Sequence, residues 1–421
     1  MKQRLFRLIS IVLGIVLALA VIEVGATAWL TIEDGRYTPA AELFERTQNT
    51  YVRDRGKDTA CRYEDTLYPH PYVAFVHHAN PPCGLPWVNN VGLFKPDLPT
   101  IKPQDRYVVL VIGGSVAAQL VQNQRPPAPR YLEEELNNNY VSPNGKPWMV
   151  LAGADGAWKE PQPFILFSLY ASSVDAMVSL GGYNEHYYFL PNAFERLEAP
   201  AANFHQVNPF VADGNFGDAA IGWVMGRLAG DLARDSILGQ SHAAYLVVRA
   251  IEATAKSPAS VKANKHTTIS KMFTLPQEVR GNADEVFDLQ LGLYQKYMRA
   301  EEAVAQDNGV KTAYFFQPVP AWGKTLTDDE KRVVGDLSYG GLYRRIVDGM
   351  MTLRERGLPV YDLGDVFRHE AGSIYADDVH YLRYGAEDES RGNRLLAARI
   401  AELLAERWSL QRKLYRPAAF P

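Results

Sequence analysis

The sequence predicts a parallel α/β sheet with helices on both faces. Three observations carry this. Tyr107–Ile112 is a short continuous apolar run, as expected of a strand buried on both sides. Four more such runs follow it: 148–151, 176–180, 312–316 and 359–363. Between them lie stretches of helical period, the pattern that gives parallel strands their crossovers. The chain has 421 residues, 47% of them hydrophobic, which supplies a sizeable core. Its net charge of −4 gives no basic footprint for nucleic acid. No Cys/His cluster has zinc spacing, and neither a P-loop nor G-x-G-x-x-G occurs.

The N-terminus reads as a membrane anchor. Lys2, Arg4 and Arg7 precede an apolar run from Leu8 to Leu30, with Glu33 and Asp34 beyond it. At about 1.5 Å per residue the run reaches roughly 34 Å, enough for a bilayer core of about 30 Å. The basic bias puts the N-terminus in the cytoplasm and the remainder outside, in the periplasm or beyond the cell. The alternative is a cleaved signal peptide with Leu8–Ile22 as its apolar core and Ala26-Thr27-Ala28 as its cleavage site. Glu23 is costly within a span; it marks either a contact with a membrane-protein partner or a group reaching the interface.

Residues 34–103 are rich in Pro, Tyr, Asn and charge, without sustained period, and read as a loop-rich arm. Cys61 and Cys83, the two cysteines, lie here. Outside the cytoplasm such a pair is expected to form a disulfide, closing a loop of about 22 residues and worth ~3 kcal/mol; the alternative is two buried thiols. His77 and His78 are adjacent and point apart in a strand, which argues against a shared metal.

The core domain, residues 104–421, then unfolds in order. Gly113-Gly114 permits a sharp turn after the first strand, and Ser115 opens a helix. Pro126, Pro127 and Pro129 split 116–140 into helix, loop and helix. The second strand runs into Asp155-Gly156, with a helix near 164–172. The third ends in Gly182-Tyr183-Asn184-Glu185. Residues 191–282 show no clear strand; 221–233 and 243–255 read as amphipathic helices within an insertion, either a lid or partner surface or a stabilising subdomain. A helix over 285–307 ends at Asn308-Gly309, followed by the fourth strand. A helix over 339–355, the fifth strand and a closing helix over 393–410 complete the pattern.

Four features fall at strand ends or in the last loop: Ser115, Gly156, Asn184 and Asp377/His380. Together they suit ester chemistry. Ser115 is a nucleophile only if an imidazole takes its proton, which His380 supplies. Asp377, three residues earlier, can orient that ring and stabilise its cation. The backbone N–H groups of Ser115 and Gly156 and the amide of Asn184 are candidate oxyanion donors. Asp155, Glu185 and Asp378 read as supporting neighbours.

These blocks resemble the SGNH (GDSL-type) hydrolase superfamily: Gly113-Gly114-Ser115, Gly153-Ala154-Asp155-Gly156, Gly182-Tyr183-Asn184-Glu185 and Asp377-Asp378-Val379-His380. Asn89-Asn90-Val91-Gly92 and Phe316-Gln317-Pro318 look like segments of its bacterial membrane-anchored members. The resemblance covers about 89–410 apart from the insertion. It implies a flavodoxin-like three-layer sandwich of five parallel strands, no cofactor and no metal. It also implies hydrolysis of an O-acyl ester, with a carbohydrate, polysaccharide or glycolipid as substrate. Two rivals stand beside that expectation: acyl transfer to a cell-surface polysaccharide by the same residues, and a non-catalytic scaffold of a membrane assembly. Gly114 and Glu185 depart from the superfamily, which usually has aspartate at both positions.

Overall fold

The apolar run after Arg106 forms a central strand in the computed structural model, buried from Tyr107 to Gly113. The structure describes residues 2–46, 67–78, 87–121, 130–189, 236–255, 278–279, 281–383 and 389–413. Cys61, Cys83, the 221–233 helix and most of the insertion lie outside these. In chain order the elements are α1 (Lys2–Asp34), α2 (Ala40–Arg46), β1 (Leu67–His70), β2 (Ala74–His77) and β3 (Tyr107–Gly113). Next come α3 (Ser115–Val121), α4 (Tyr131–Asn139), β4 (Tyr140–Val141), β5 (Trp148–Ala154), α5 (Gln162–Tyr170), β6 (Ala176–Gly181) and α6 (His242–Ala255). Last are α7 (Ala283–Asn308), β7 (Lys311–Phe316), α8 (Gly340–Met351), β8 (Val360–Asp362), α9 (Arg391–Trp408) and β9 (Gln411–Arg412).

Two compact units result, 1–66 with 205–272 and 67–204 with 273–421. In the second, five parallel strands take the order β5-β3-β6-β7-β8. Counted along the chain this is 2-1-3-4-5. Two helix groups cover the sheet: α3, α4 and α9 pack together, as do α5, α7 and α8 through α7. β3 is buried on both faces because both groups are present. Gly113 pairs with Ala154 on one side and Leu180 on the other, so three strands end level. The chain leaves β3 toward opposite neighbours on its two sides, which makes its carboxyl end the topological switch point, where open α/β sheets bind ligands.

The expected elements differ mainly at their ends. The helix over 339–355 is α-helical to Met351 and tightens to 3₁₀ over Thr352–Arg356, before Gly357 at φ 88°. The loop-rich arm is more ordered than its composition suggests. It contains α2, and it contributes the β1–β2 hairpin to the second unit. The turn there is held by the imidazole of His70, which accepts from the Tyr72 and Val73 N–H groups. The apolar run Tyr72–Val76 covers most of β2, but the Pro- and charge-rich sequence around it masks both elements.

The first unit is helical where it is described. Ile9–Glu33 in α1 is long and apolar enough to cross a membrane, and its surface is almost wholly exposed. Leu30, Leu43, Phe44, Tyr245 and Val248 form a small core joining α1, α2 and α6. Glu23 is satisfied within the chain. It accepts from Ser241 Oγ at 2.6 Å, His242 N at 2.6 Å and Ala243 N at 3.2 Å, so it caps α6 from a neighbouring helix.

Candidate active site

Ser115 sits at the switch point because the two residues before it have no side chains. Gly113 has φ 143°, and a Cβ there would lie 2.1 Å from the Leu180 carbonyl oxygen. A Cβ on Gly114 would lie 2.4 Å from Asn184 Nδ2 and 3.1 Å from the Trp158 oxygen. The chain can therefore turn against β6 and its following loop, and α3 starts at Ser115.

The last loop returns to the same point. His380 Nε2 lies 2.7 Å from Ser115 Oγ, and His380 Nδ1 lies 2.8 Å from Asp377 Oδ2. The other Asp377 oxygen accepts from the backbone N–H groups of Val379 and His380, at 2.8 and 2.7 Å. Burial opposes charge on Asp377. The His380 ring and these two N–H groups outweigh it and bring the carboxyl down to about 2. An ionised Asp377 accepts from Nδ1–H, which leaves Nε2 free to take the Ser115 proton.

The core anchors this loop on each side. Tyr375 and Tyr381 are buried and pack edge-on with Phe367, and Tyr381 donates to the Pro318 oxygen. Upstream, Glu330 accepts from Ile374 N and Tyr375 N at 2.7 and 3.0 Å. Its other oxygen meets Lys324 Nζ at 2.8 Å, with both side chains sealed from solvent. Glu330 also closes a capping box with Thr327 on a four-residue helical turn. Burial alone would raise the Glu330 carboxyl, but these bonds hold it low. One local signal is visible, Thr-x-x-Glu at 327–330, which reads as a cap and does not reveal what the second oxygen holds.

The oxyanion candidates are arranged less simply than their order suggests. Asn184 Nδ2 donates to the Trp158 oxygen at 2.8 Å and lies against Gly114, the residue before Ser115. Gly156 N–H is turned to its neighbour, donating to Asp155 Oδ1 at 2.6 Å. The same oxygen faces His77 Nε2 at 3.1 Å, and both side chains are buried. His77 therefore belongs to the support of this loop. Seventy-eight residues separate it from Asp155, and no local pattern links them.

Glu185 joins the two oxyanion loops. One oxygen accepts from Gly182 N at 2.7 Å, the other from Glu160 N at 3.2 Å. Burial raises the Glu185 carboxyl despite these bonds and the nearby Lys159. Beneath it, Glu160 and Glu301 are buried facing each other, and burial raises both. On the open side, Tyr183 donates to Asp378 Oδ2 at 2.7 Å, tying the Asn184 loop to the histidine loop. Among the described residues no group of His, Cys, Asp and Glu could hold a metal ion. Compared with protein-family models the chain matches none, and no curated protein is significantly similar to it.

Proposed function

We propose that this chain is a serine esterase of the SGNH type, anchored by α1, with its α/β unit on the outer side of the membrane. The reading rests on the hydrogen-bonded line Ser115–His380–Asp377 at the switch point. The strand order 2-1-3-4-5, that of flavodoxin-like sheets, supports it. The sequence resemblance supplies the substrate class, an O-acyl ester of a carbohydrate.

Ser115 Oγ attacks the ester carbonyl as His380 Nε2 takes its proton. Asp377 balances the charge that the imidazole gains. The carbonyl oxygen, now anionic, accepts from the free Asn184 N–H and from Ser115 N–H. Gly156 joins them when its N–H turns away from Asp155. His380 returns its proton to the departing alcohol, leaving the acyl group on Ser115. Water, activated by the same imidazole, then releases the acid and restores the serine.

The test is a fluorophosphonate probe on the full chain in membranes, with Ser115→Ala and Asp377→Asn alongside. Wild type is expected to label, Ser115→Ala to be silent, and Asp377→Asn to lose roughly 10⁴-fold in kcat on an acetyl ester. A folded wild type that fails to label would overturn the esterase reading in favour of a non-catalytic scaffold. Acyl groups passing to an added oligosaccharide faster than to water would replace hydrolysis by transfer.

A further inference from the structure

Besides α1, the first unit carries a second apolar surface, at the 3₁₀ turn Ile237–Gln240 before α6. Ile237 is 86% exposed and Leu238 51%. Their depth relative to α1 explains them.

Two contacts fix the direction of α6. Its first residues meet Glu23, and Arg249, one to two turns on, pairs with Glu33. α6 therefore runs alongside α1 in the same direction, with its N-terminus toward the middle of the apolar segment. Ten residues separate Glu23 from Glu33, or about 15 Å along a helix. Ser241 N donates to the Leu238 oxygen at 3.0 Å, so Leu238 lies within about one turn of the level of Glu23. With Ile9–Glu33 as the span, that level is about 15 Å inside its outer end. Trp29, exposed on α1 six residues beyond Glu23, is of the type that marks the headgroup region.

Several backbone groups of the turn and of the start of α6 are satisfied within the unit, while the Gln240 side chain is exposed. Leu238 N donates to Ser236 Oγ, Gly239 N to the Ser236 oxygen, and Ala244 N to Ser241 Oγ. Glu23 takes Ser241 Oγ, His242 N and Ala243 N. His242 Nε2 lies 2.8 Å from the Thr38 oxygen, and its Nδ1 3.2 Å from Thr27 Oγ1. Backbone can lie at membrane depth only when its N–H and C=O groups are satisfied without water. A carboxylate placed on a span to cap a helix start meets that requirement.

We infer that the Ile237–Leu238 turn inserts into the outer leaflet beside α1, its side chains among phospholipid acyl chains. Val247 is exposed further along α6. The inference rests on α1 crossing the membrane and is independent of the chemistry at Ser115. The protein thus has two membrane contacts, a transmembrane helix and a half-inserted turn fastened to it through Glu23.

The test uses the full chain in vesicles of phosphatidylethanolamine and phosphatidylglycerol. A polarity-sensitive fluorophore is attached at Ile237→Cys, at Leu238→Cys and at Leu13→Cys. Wild type is carried in parallel to subtract signal from Cys61 and Cys83. Expected is blue-shifted emission at all three sites, quenched several-fold by doxyl-labelled lipid and untouched by aqueous iodide. Lipid quenching at position 13 without it at 237 and 238 overturns the inference alone. Iodide quenching there would put the turn in water, and quenching by neither would put it under a protein partner. Absence of lipid quenching at all three sites removes the span, and the inference with it.

Discussion

A side chain at position 114 would collide with Asn184. The superfamily that the sequence resembles usually has aspartate there, but here the space is taken by the Asn184 amide, 2.4 Å from where a Cβ would stand. Gly114→Asp is therefore expected to push Asn184 from its place beside Gly114. Losing one oxyanion donor should lower kcat by roughly 10²-fold or more. Thermal unfolding separates this from a folding defect: the midpoint should move little compared with the fall in activity. Unchanged activity in Gly114→Asp would mean that Asn184 is not a donor. The same residues show what the linear chain discloses. Ser115, His380 and Asp377 were legible because a strand–Gly–Gly–Ser turn and an Asp-x-x-His spacing are local patterns. The engagement of Asp155 with His77 was not, since it depends on a hairpin brought in from far upstream.

At the scale of elements, the histidine loop depends on a helical turn some fifty residues earlier. Glu330 supports it by holding Ile374 and Tyr375 N–H and the buried Lys324 ammonium. Removing one partner of a sealed ion pair strands the other charge, so Glu330→Ala should cost roughly 3–5 kcal/mol of stability. Chemical denaturation measures this. A double variant, Glu330→Leu with Lys324→Met, leaves no orphaned charge and should recover most of the loss. If the double variant is as unstable as the single one, the two backbone amides and not the ion pair account for Glu330. The strands and long helices were legible for the opposite reason. Each carries its own period, and each is long enough to express it: α7 begins at Asn282, whose side chain accepts from Asp284 N and Glu285 N, and ends at Gly309 with φ 67°. The hairpin β1–β2 and α2 were missed although they are no shorter than β8 and α3, because they lie in a stretch whose Pro, Tyr, Asn and charge content masks them.

For the α/β unit as a whole, the buried carboxyls set how stability responds to pH. Burial raises Glu160, Glu301 and Glu185 in the folded state. Unfolded, each would lose its proton near 4.5; folded, each holds it to higher pH. The unfolded chain then binds fewer protons, so stability falls as pH rises above about 4.5. Lys159, lowered to about 8 by burial against the pull of Glu185, keeps its proton in both states below that value. Burial lowers His70 and His186, which adds stability as pH rises toward about 6.5 and opposes the carboxyls there, so the decline is clearest between about pH 6.5 and 8. Glu160→Gln is expected to flatten the decline between about pH 6.5 and 8, read as the unfolding midpoint at each pH. A slope as steep as that of wild type would show that Glu160 ionises normally in the folded chain.

By itself the sequence determined the class of the sheet, the order of its strands along the chain, the apolar N-terminal helix and the choice of Ser115, Asp377 and His380 as candidates. These rest on short-range physics: burial period, the turn a glycine allows, the reach of a carboxylate to an imidazole three residues on. Tertiary structure alone decided the spatial order β5-β3-β6-β7-β8, which sets Ser115 at the switch point, and the 2.7 Å approach of His380 across 265 residues of chain. It also decided what Glu23 does. A carboxylate in an apolar run is unfavourable until another segment brings it N–H groups, and that segment lies more than two hundred residues away. Partners so distant are chosen by packing, which no local pattern encodes.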